Sequence, residues 1–318
     1  MKSRFSYLRP ISLAEACSLT AAAEPGTRLL AGGTDLYLQW REGTPIRACV
    51  DISRLPGLAG IAVAGGRLRI GALTTLRTLE RAAPRGGAGE AASGGRAGEP
   101  PGATAGEPVT GPELRALADL ARVMCTPPTR SLATVGGNLG NASPGADLPP
   151  VLLALDAEVV VARPAGERRI GVAGLITGPG RTSLAPGEVI TAVEMPQRGG
   201  RAVAVLRATR SALDIAQVIV AVSVATDDHG RIGPIGIGLG AVAPAPFRAS
   251  AAEAVLAGRP VAAVAEGDLG EAARLASLAA SPIDDVRAGA AYRREMTTTL
   301  TRRALTAALG RLRVEGST

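Results

Sequence analysis

Thr134-Val135-Gly136-Gly137-Asn138, continuing as Leu139-Gly140-Asn141-Ala142-Ser143-Pro144-Gly145-Ala146-Asp147, is the stretch around which the chain is organised. Adjacent glycines remove the Cβ atoms that keep a backbone away from a bulky anion, and they permit positive φ. A run of amide N–H groups can then converge on phosphate without a lysine. Thr134, Asn138, Asn141 and Ser143 add short polar side chains at the same place. A double glycine alone is equally a turn between two strands. The apolar run Val151–Leu155 follows and reads as a helix after Pro149-Pro150.

The same pattern occurs about a hundred residues earlier, in Leu29-Leu30-Ala31-Gly32-Gly33-Thr34-Asp35-Leu36. A short strand, Arg28–Ala31, runs into a double-glycine turn, and a helix opens at Leu36–Arg41. Phosphate there would meet turn amides and a helix N-terminus together. Neither loop fits a Walker motif or a Rossmann turn. Two such loops suggest a diphosphate gripped from both sides.

The 318 residues allow two domains, and 46% hydrophobic with 20% charged residues is a globular composition. Aromatics make up only 2%, so the core is expected from Ala, Val, Leu and Ile. The net charge of +7 is almost wholly arginine, Lys2 being the only lysine, and it is scattered. No basic strip carries aromatics for stacking bases, so nucleic acid is not an expected partner. Cys17, Cys49 and Cys125 are too few and too dispersed for an iron–sulfur cluster or a disulfide framework. His229, the only histidine, lies in the turn Asp227–Gly230, which excludes a histidine metal site or a Ser-His triad. No apolar run reaches the ~20 residues of a membrane span and no signal-peptide core is visible, so a cytoplasmic location is expected.

Along the chain, Ser12-Leu13-Ala14-Glu15 is a capping box opening a helix through Thr20, with Leu13, Ala16, Cys17 and Leu19 inward. With Ala48–Ile52 as the next strand, the first unit is β-loop-α-β and predicts a small parallel sheet. Ile61–Ala64 and Leu68–Ile70 read as a hairpin through Gly65-Gly66-Arg67, and Thr74–Arg81 and Leu114–Val123 as helices. Residues 84–112 are almost all Gly, Ala, Pro, Glu, Arg, Ser and Thr, the composition of a flexible insertion. Glu158–Ala162 and Val189–Glu194 are strands, the latter closing the first domain near Pro196. Ala202–Leu206, Val218–Thr226 and Ile232–Leu239 read as three further strands. Three helices follow: one capped by Ser250 with Glu253, one by Asp268 with Glu271, and one from Val286 to Arg313. The last carries Tyr292, Met296, Leu300, Ala304, Ala308 and Leu312 as an inward stripe.

Both glycine loops, with Ala142-Ser143-Pro144, Asp147, Gly178–Thr182, Leu184–Glu188, Asp214-Ile215-Ala216, Gly238–Ala243 and Ser281–Asp285 to Tyr292-Arg293, resemble the FAD-binding subunit of the molybdenum hydroxylases over nearly the whole chain. That family includes the medium subunit of carbon monoxide dehydrogenase and the flavin domain of xanthine dehydrogenase. The resemblance implies an α+β, two-subdomain FAD-binding fold of the vanillyl-alcohol-oxidase type. Residues 1–197 would form the FAD-binding domain (about 1–56 the parallel subdomain, 57–197 the antiparallel one with the insertion). Residues 198–318 would form a C-terminal domain of three antiparallel strands with helices.

By the same resemblance, noncovalent FAD would lie between the subdomains. Leu30, Ala31, Gly32, Gly33, Thr34 and Asp35 would meet it from the first loop, and Thr134, Val135, Gly136, Gly137 and Asn138 from the second. The pyrophosphate would take the amides of Gly32, Gly33, Thr34, Gly136, Gly137 and Asn138. Asp35 would contribute its N–H and turn its carboxylate away. Ser143 would sit beside the loop, Asp147 would accept from a ribityl or ribose hydroxyl or else cap the following helix, and Leu184 would pack on the flavin. Arg207 or Arg210 would fill a basic position near the ring. No catalytic acid or base is implied. Molybdopterin and 2Fe-2S clusters would sit only in partner subunits, a large and a small one, arranged as a dimer of heterotrimers. Electrons would pass to NAD+, a quinone or another acceptor. The alternatives are a stand-alone flavoprotein oxidoreductase and a flavin-free scaffold subunit.

Overall fold

The computed structural model describes residues 5–83 and 109–315. Most of the insertion expected at 84–112 therefore lies outside the described residues. Its last residues do not: Pro112 already opens a helix.

The N-terminal unit is β1 (Ser6–Leu8), α1 (Leu13–Ala21), β2 (Thr27–Leu30), α2 (Thr34–Arg41) and β3 (Ala48–Asp51). Ser12 caps α1 by accepting from the Glu15 N–H, and the Glu15 carboxylate returns to the Ile11 N–H at 2.8 Å. Ala16 and Cys17 are buried, so the amphipathic reading of α1 holds. The three strands form a parallel sheet in the order β1-β3-β2. Parallel pairing places the β2–α2 turn at the C-terminal end of the sheet.

The second unit begins with the hairpin β4 (Ile61–Ala64) and β5 (Arg67–Gly71). Gly65 and Gly66 both have positive φ (56° and 69°), as a two-residue turn matching the strand twist requires. The helices α3 (Leu76–Arg81), α4 (Pro112–Val123), α5 (Pro127–Arg130), α6 (Val135–Asn141) and α7 (Leu148–Ala154) come next. They are followed by β6 (Glu158–Arg163), β7 (Gly166–Gly171), α8 (Val172–Leu175), β8 (Ile176–Gly178), β9 (Arg181–Thr182) and β10 (Val189–Pro196). A five-stranded antiparallel sheet runs β4-β5-β10-β6-β7. Its core joins Leu68, Ile70, Leu117, Leu139, Leu152, Val159 and Met195, all fully buried. The second glycine stretch is a helix rather than a turn, because Thr134 caps it and its glycines occupy the first turn.

The C-terminal unit holds β11 (Arg201–Ala208), β12 (Val218–Thr226), β13 (Ile232–Gly240) and β14 (Phe247–Arg248), an antiparallel sheet in that order. It has one more strand than expected, because two residues beside Gly238 and Leu239 leave no readable period. The helices α9 (Ser250–Leu256), α10 (Glu266–Ala279) and α11 (Ala290–Glu315) cover one face. Their caps differ from the expected ones. Ser250 is the first helical residue after Ala249, and Glu253 instead accepts from the Ile237 N–H and from Arg248. Asp268 lies inside α10 and accepts from the Ala265 N–H at 2.9 Å. The third helix starts four residues beyond Val286, because Asp284 accepts from the Ala290 N–H and Asp285 holds the segment before it. Leu300, Ala304, Ala308 and Leu312 are buried, whereas Tyr292 is 43% exposed and leaves the stripe.

The two larger units meet through α7. A Cβ on Gly238 would stand 1.9 Å from the Pro150 carbonyl oxygen, and one on Gly236 2.3 Å from that of Ala154. These glycines let the helix lie directly on β13. Among the described residues the buried core includes no aromatic, as the composition implied.

Candidate functional site

The first glycine loop leaves the C-terminal end of β2 and opens α2. Gly33 holds the N-cap position at φ 71°, a left-handed conformation that favours glycine, and no side chain caps the helix. The first bond back into the loop is Tyr37 N–H to the Gly33 carbonyl at 2.9 Å. The N–H groups of Gly32, Gly33, Thr34, Asp35 and Leu36 meet no acceptor among the described residues. Five successive donors at the positive end of a helix form an anion-binding concavity.

The second loop differs. Val135 N–H donates to the Thr74 carbonyl at 3.0 Å and Gly136 N–H to Ala72 at 2.8 Å. Gly137 N–H donates to the Thr134 hydroxyl and Asn138 N–H to the Thr134 carbonyl, both at 3.0 Å. The amides expected to cradle an anion here are thus already engaged within the chain. The glycines serve close packing instead: a Cβ on Gly136 would stand 2.7 Å from that of Ala72. What remains for a ligand is the side chains. The Asn138 Oδ1 is buried without a hydrogen-bond partner.

The two loops form one wall. A Cβ on Gly32 would lie 1.8 Å from the Leu132 carbonyl oxygen, so backbone touches backbone just before Thr134. Gln39 on α2 donates to Asn141 on α6 at 2.8 Å. Beyond α6 the chain turns at Ala142 (φ 48°), where the carbonyl accepts from the Gly180 N–H at 2.9 Å. The Ser143 hydroxyl accepts from the Gly145 N–H at 3.3 Å. Pro144 accepts from the Ala241 N–H at 3.0 Å, and Gly145 lies against Ile215. Segments far apart in sequence therefore surround Ser143. Leu184 is half-buried against the main core, in the turn between β9 and β10.

Asp147 is buried and stands at the N-cap position of α7, but its side chain makes no cap hydrogen bond there. Arg207 meets it in a fork, Nε to Oδ1 at 2.8 Å and Nη2 to Oδ2 at 3.2 Å. The same guanidinium donates to the carbonyls of Val123 and Asp214, each at 2.9 Å. Burial outweighs the arginine and pushes the Asp147 carboxyl up to about 6. Of the two arginines considered for the basic position, Arg207 is the one at Asp147. Arg210 pairs with Asp214 at 2.8 Å on the surface.

Cys125 has no motif around it, and sequence reading missed its place here. It sits at φ 50° in a turn whose carbonyls Met124 and Cys125 both accept from Arg130 at 2.8 Å. Burial raises its thiol, and so do the charges of Asp147 and Asp35. Asp35 is solvent-accessible, and desolvation by the surrounding wall raises its carboxyl. Its carboxylate is thus near enough to act on Cys125. A concavity of about 1080 Å³ lies elsewhere: it runs between α4 and β11 and reaches this site at Val123 and Arg207.

The comparisons with known proteins agree over the whole chain. The family model described as the FAD binding domain in molybdopterin dehydrogenase matches residues 3–198. The CO dehydrogenase flavoprotein C-terminal domain matches residues 204–308. The chain is 31% identical over 261 residues to the xanthine dehydrogenase FAD-binding subunit of Escherichia coli O157:H7, covering 80% of each. It is 30% identical over 310 residues to the carbon monoxide dehydrogenase medium chain of Afipia carboxidovorans, covering 96% of this chain and 97% of that one. A chain of the carbon monoxide dehydrogenase structure from Hydrogenophaga pseudoflava superposes with a TM-score of 0.84 at 30% identity, covering 98% of this chain and 99% of that one.

Proposed function

The chain belongs to the family of FAD-binding subunits of molybdenum hydroxylases of the xanthine and carbon monoxide dehydrogenase type, FAD-dependent oxidoreductases, and from that premise we propose how its residues hold the cofactor and what it exchanges electrons with. The observation that carries the proposal is the backbone contact of Gly32 with Leu132. It brings the loop that carries five free N–H donors against the segment leading into Thr134 and Asn138, whose Oδ1 is buried and unpartnered. Those features fit the pyrophosphate and sugar of a dinucleotide.

In this reading Gly32, Gly33, Thr34, Asp35 and Leu36 donate N–H groups to the pyrophosphate. Gly136 and Gly137 hold the opposite wall close, and Asn138 supplies its side chain. The Thr134 hydroxyl, already an acceptor for Gly137, keeps its proton to donate. Asp147 offers its remaining lone pairs to a ribityl or ribose hydroxyl while Arg207 fixes its plane. Leu30, Ala31, Val135 and Leu184 give apolar contact, and Ser143 lies at the mouth. Bound without a covalent link, FAD would supply the one- and two-electron redox chemistry of the site.

The FAD-binding domain is residues 1–197 and the C-terminal domain 198–318. The chain acts beside a molybdenum-containing large subunit and a 2Fe-2S small subunit, and NAD+, a quinone or another acceptor takes the electrons. Purifying the complex from its native source tests this. FAD, iron and molybdenum should co-elute with the chain, and FAD without the metals would contradict the relay.

A further inference from the structure

We propose that the outer edge of β11 is a docking site for an extended, acidic segment of a partner subunit, which adds a strand to the C-terminal sheet. This rests on the reading of the chain as one subunit of a complex.

β11 ends its sheet, and its eight residues pair with β12 in unbroken register from Arg201↔Ala225 to Ala208↔Val218. The carbonyls of Gly200 and Ala208 accept from Thr226 and Gln217, so the even-numbered residues bond inward. The odd-numbered ones turn their backbone groups outward, and the Val203 carbonyl accordingly accepts from Arg311 on α11. By that alternation the N–H groups of Val203, Val205 and Arg207 point away from β12, and outside the strand ladders they meet no acceptor among the described residues. β11 is buried from Arg201 to Ala204 and half-buried from Val205 to Arg207, and an edge strand with unpaired donors is a template for another strand.

The groove of about 1080 Å³ lies along this edge, with α4 as its other wall. Leu120, Val123, Val203 and Val205 make it apolar, and Arg311 and Arg198, the latter 4.0 Å from Asp156, make it basic. Asp119 is the one acid in the lining, and it is paired with Arg122. The lining contains no aromatic ring, so a nucleotide base would have nothing to stack on. An extended peptide needs no ring: its backbone meets the free N–H groups, alternate side chains meet the valines, and its acids meet the arginines. Eight residues at ~3.3 Å each give a contact about 26 Å long.

Hydrogen–deuterium exchange of the isolated chain and of the assembled complex tests the proposal. The Val203, Val205 and Arg207 amides should exchange at least a hundredfold more slowly in the complex. Val205→Pro removes an outward N–H without touching the β12 ladder, a place where edge strands tolerate proline. It should weaken assembly at least tenfold, and Arg198→Glu at least fivefold, with FAD content unchanged in both. Unchanged exchange in the complex, or unimpaired assembly of Arg198→Glu, would overturn the proposal. So would slowing of the same amides in the isolated chain by millimolar ADP, which would assign the groove to a nucleotide. FAD content of the same samples reports separately on the cofactor site.

Discussion

Replacing Gly32 by alanine should cripple FAD binding while leaving the fold in place. The new Cβ would start 1.8 Å from the Leu132 carbonyl oxygen and 3.2 Å from the Ala133 Cα. Real Cβ contacts do not fall below 3.0 Å, so the two backbones must part by about 1.2 Å. The obstacle is main chain on both sides, with no flexible side chain to swing away. The displaced segment leads directly into Thr134 and the Asn138 side chain. A misplacement of about 1 Å in a positioned site costs on the order of a hundredfold. The FAD dissociation constant, read by flavin fluorescence quenching on the stripped chain, should therefore rise by about that factor. Gly267→Ala is the control: it sits in α10 with nothing within 4 Å of the added Cβ, and it should bind FAD as the parent does. Parent-like affinity in Gly32→Ala would refute the two-loop clamp.

Other expectations follow from the buried charges and the cap. Asp147 binds its proton more tightly folded than unfolded, since burial lifts its carboxyl to about 6 from 3.8. Its contribution to stability is therefore full below about pH 4 and lost as pH rises through 6, on the order of 2–3 kcal/mol at ~1.4 kcal/mol per pH unit. Urea unfolding of the flavin-free chain should show the parent losing that much relative to Asp147→Asn between pH 4 and 7; a parent that gains stability relative to Asp147→Asn over that range would refute it. Glu113 and Arg201 are an ion pair at 3.1 Å with side chains 1% exposed. Glu113→Leu alone should cost about 3–5 kcal/mol, whereas Glu113→Leu with Arg201→Met should be near neutral. Equal losses in the single and double variants, by the same unfolding measurement, would contradict this. Thr134→Val removes the acceptor for the Gly137 N–H and should destabilise by about 1 kcal/mol in thermal unfolding.

The parts of the fold legible in sequence were those whose signal is local. The Ser12 box, the Gly65-Gly66 hairpin and the long strands β12 and β13 carry their own period or cap. Strand β7, Gly-Glu-Arg-Arg-Ile-Gly, is largely exposed at the sheet edge, so it has no apolar alternation to read. Ser250 and Asp268 match a cap pattern, but Glu253 accepts instead from the distant Ile237 N–H, and Asp268 accepts from the Ala265 N–H three residues before it, which puts it inside α10. At the site, the double glycines read as room for an anion, and at Gly32 and Gly136 the room is taken by neighbouring backbone and by Ala72. They could not show which loop keeps free donors, because the acceptors that satisfy the second loop include Ala72 and Thr74, over sixty residues away. The Asp147–Arg207 fork and the place of Cys125 likewise depend on β11 meeting the α6–α7 turn. Nothing local to Asp147 signals a partner sixty residues on.

The most direct measurement is the absorption spectrum of the purified chain together with chromatography of whatever it releases on denaturation. A yellow protein yielding one FAD per chain is expected, with the flavin freed without proteolysis because the link is noncovalent. A colourless chain that takes up no added FAD would show that the paired loops are structural turns, and would contradict the assignment of Gly32 to Leu36 as the pyrophosphate cradle.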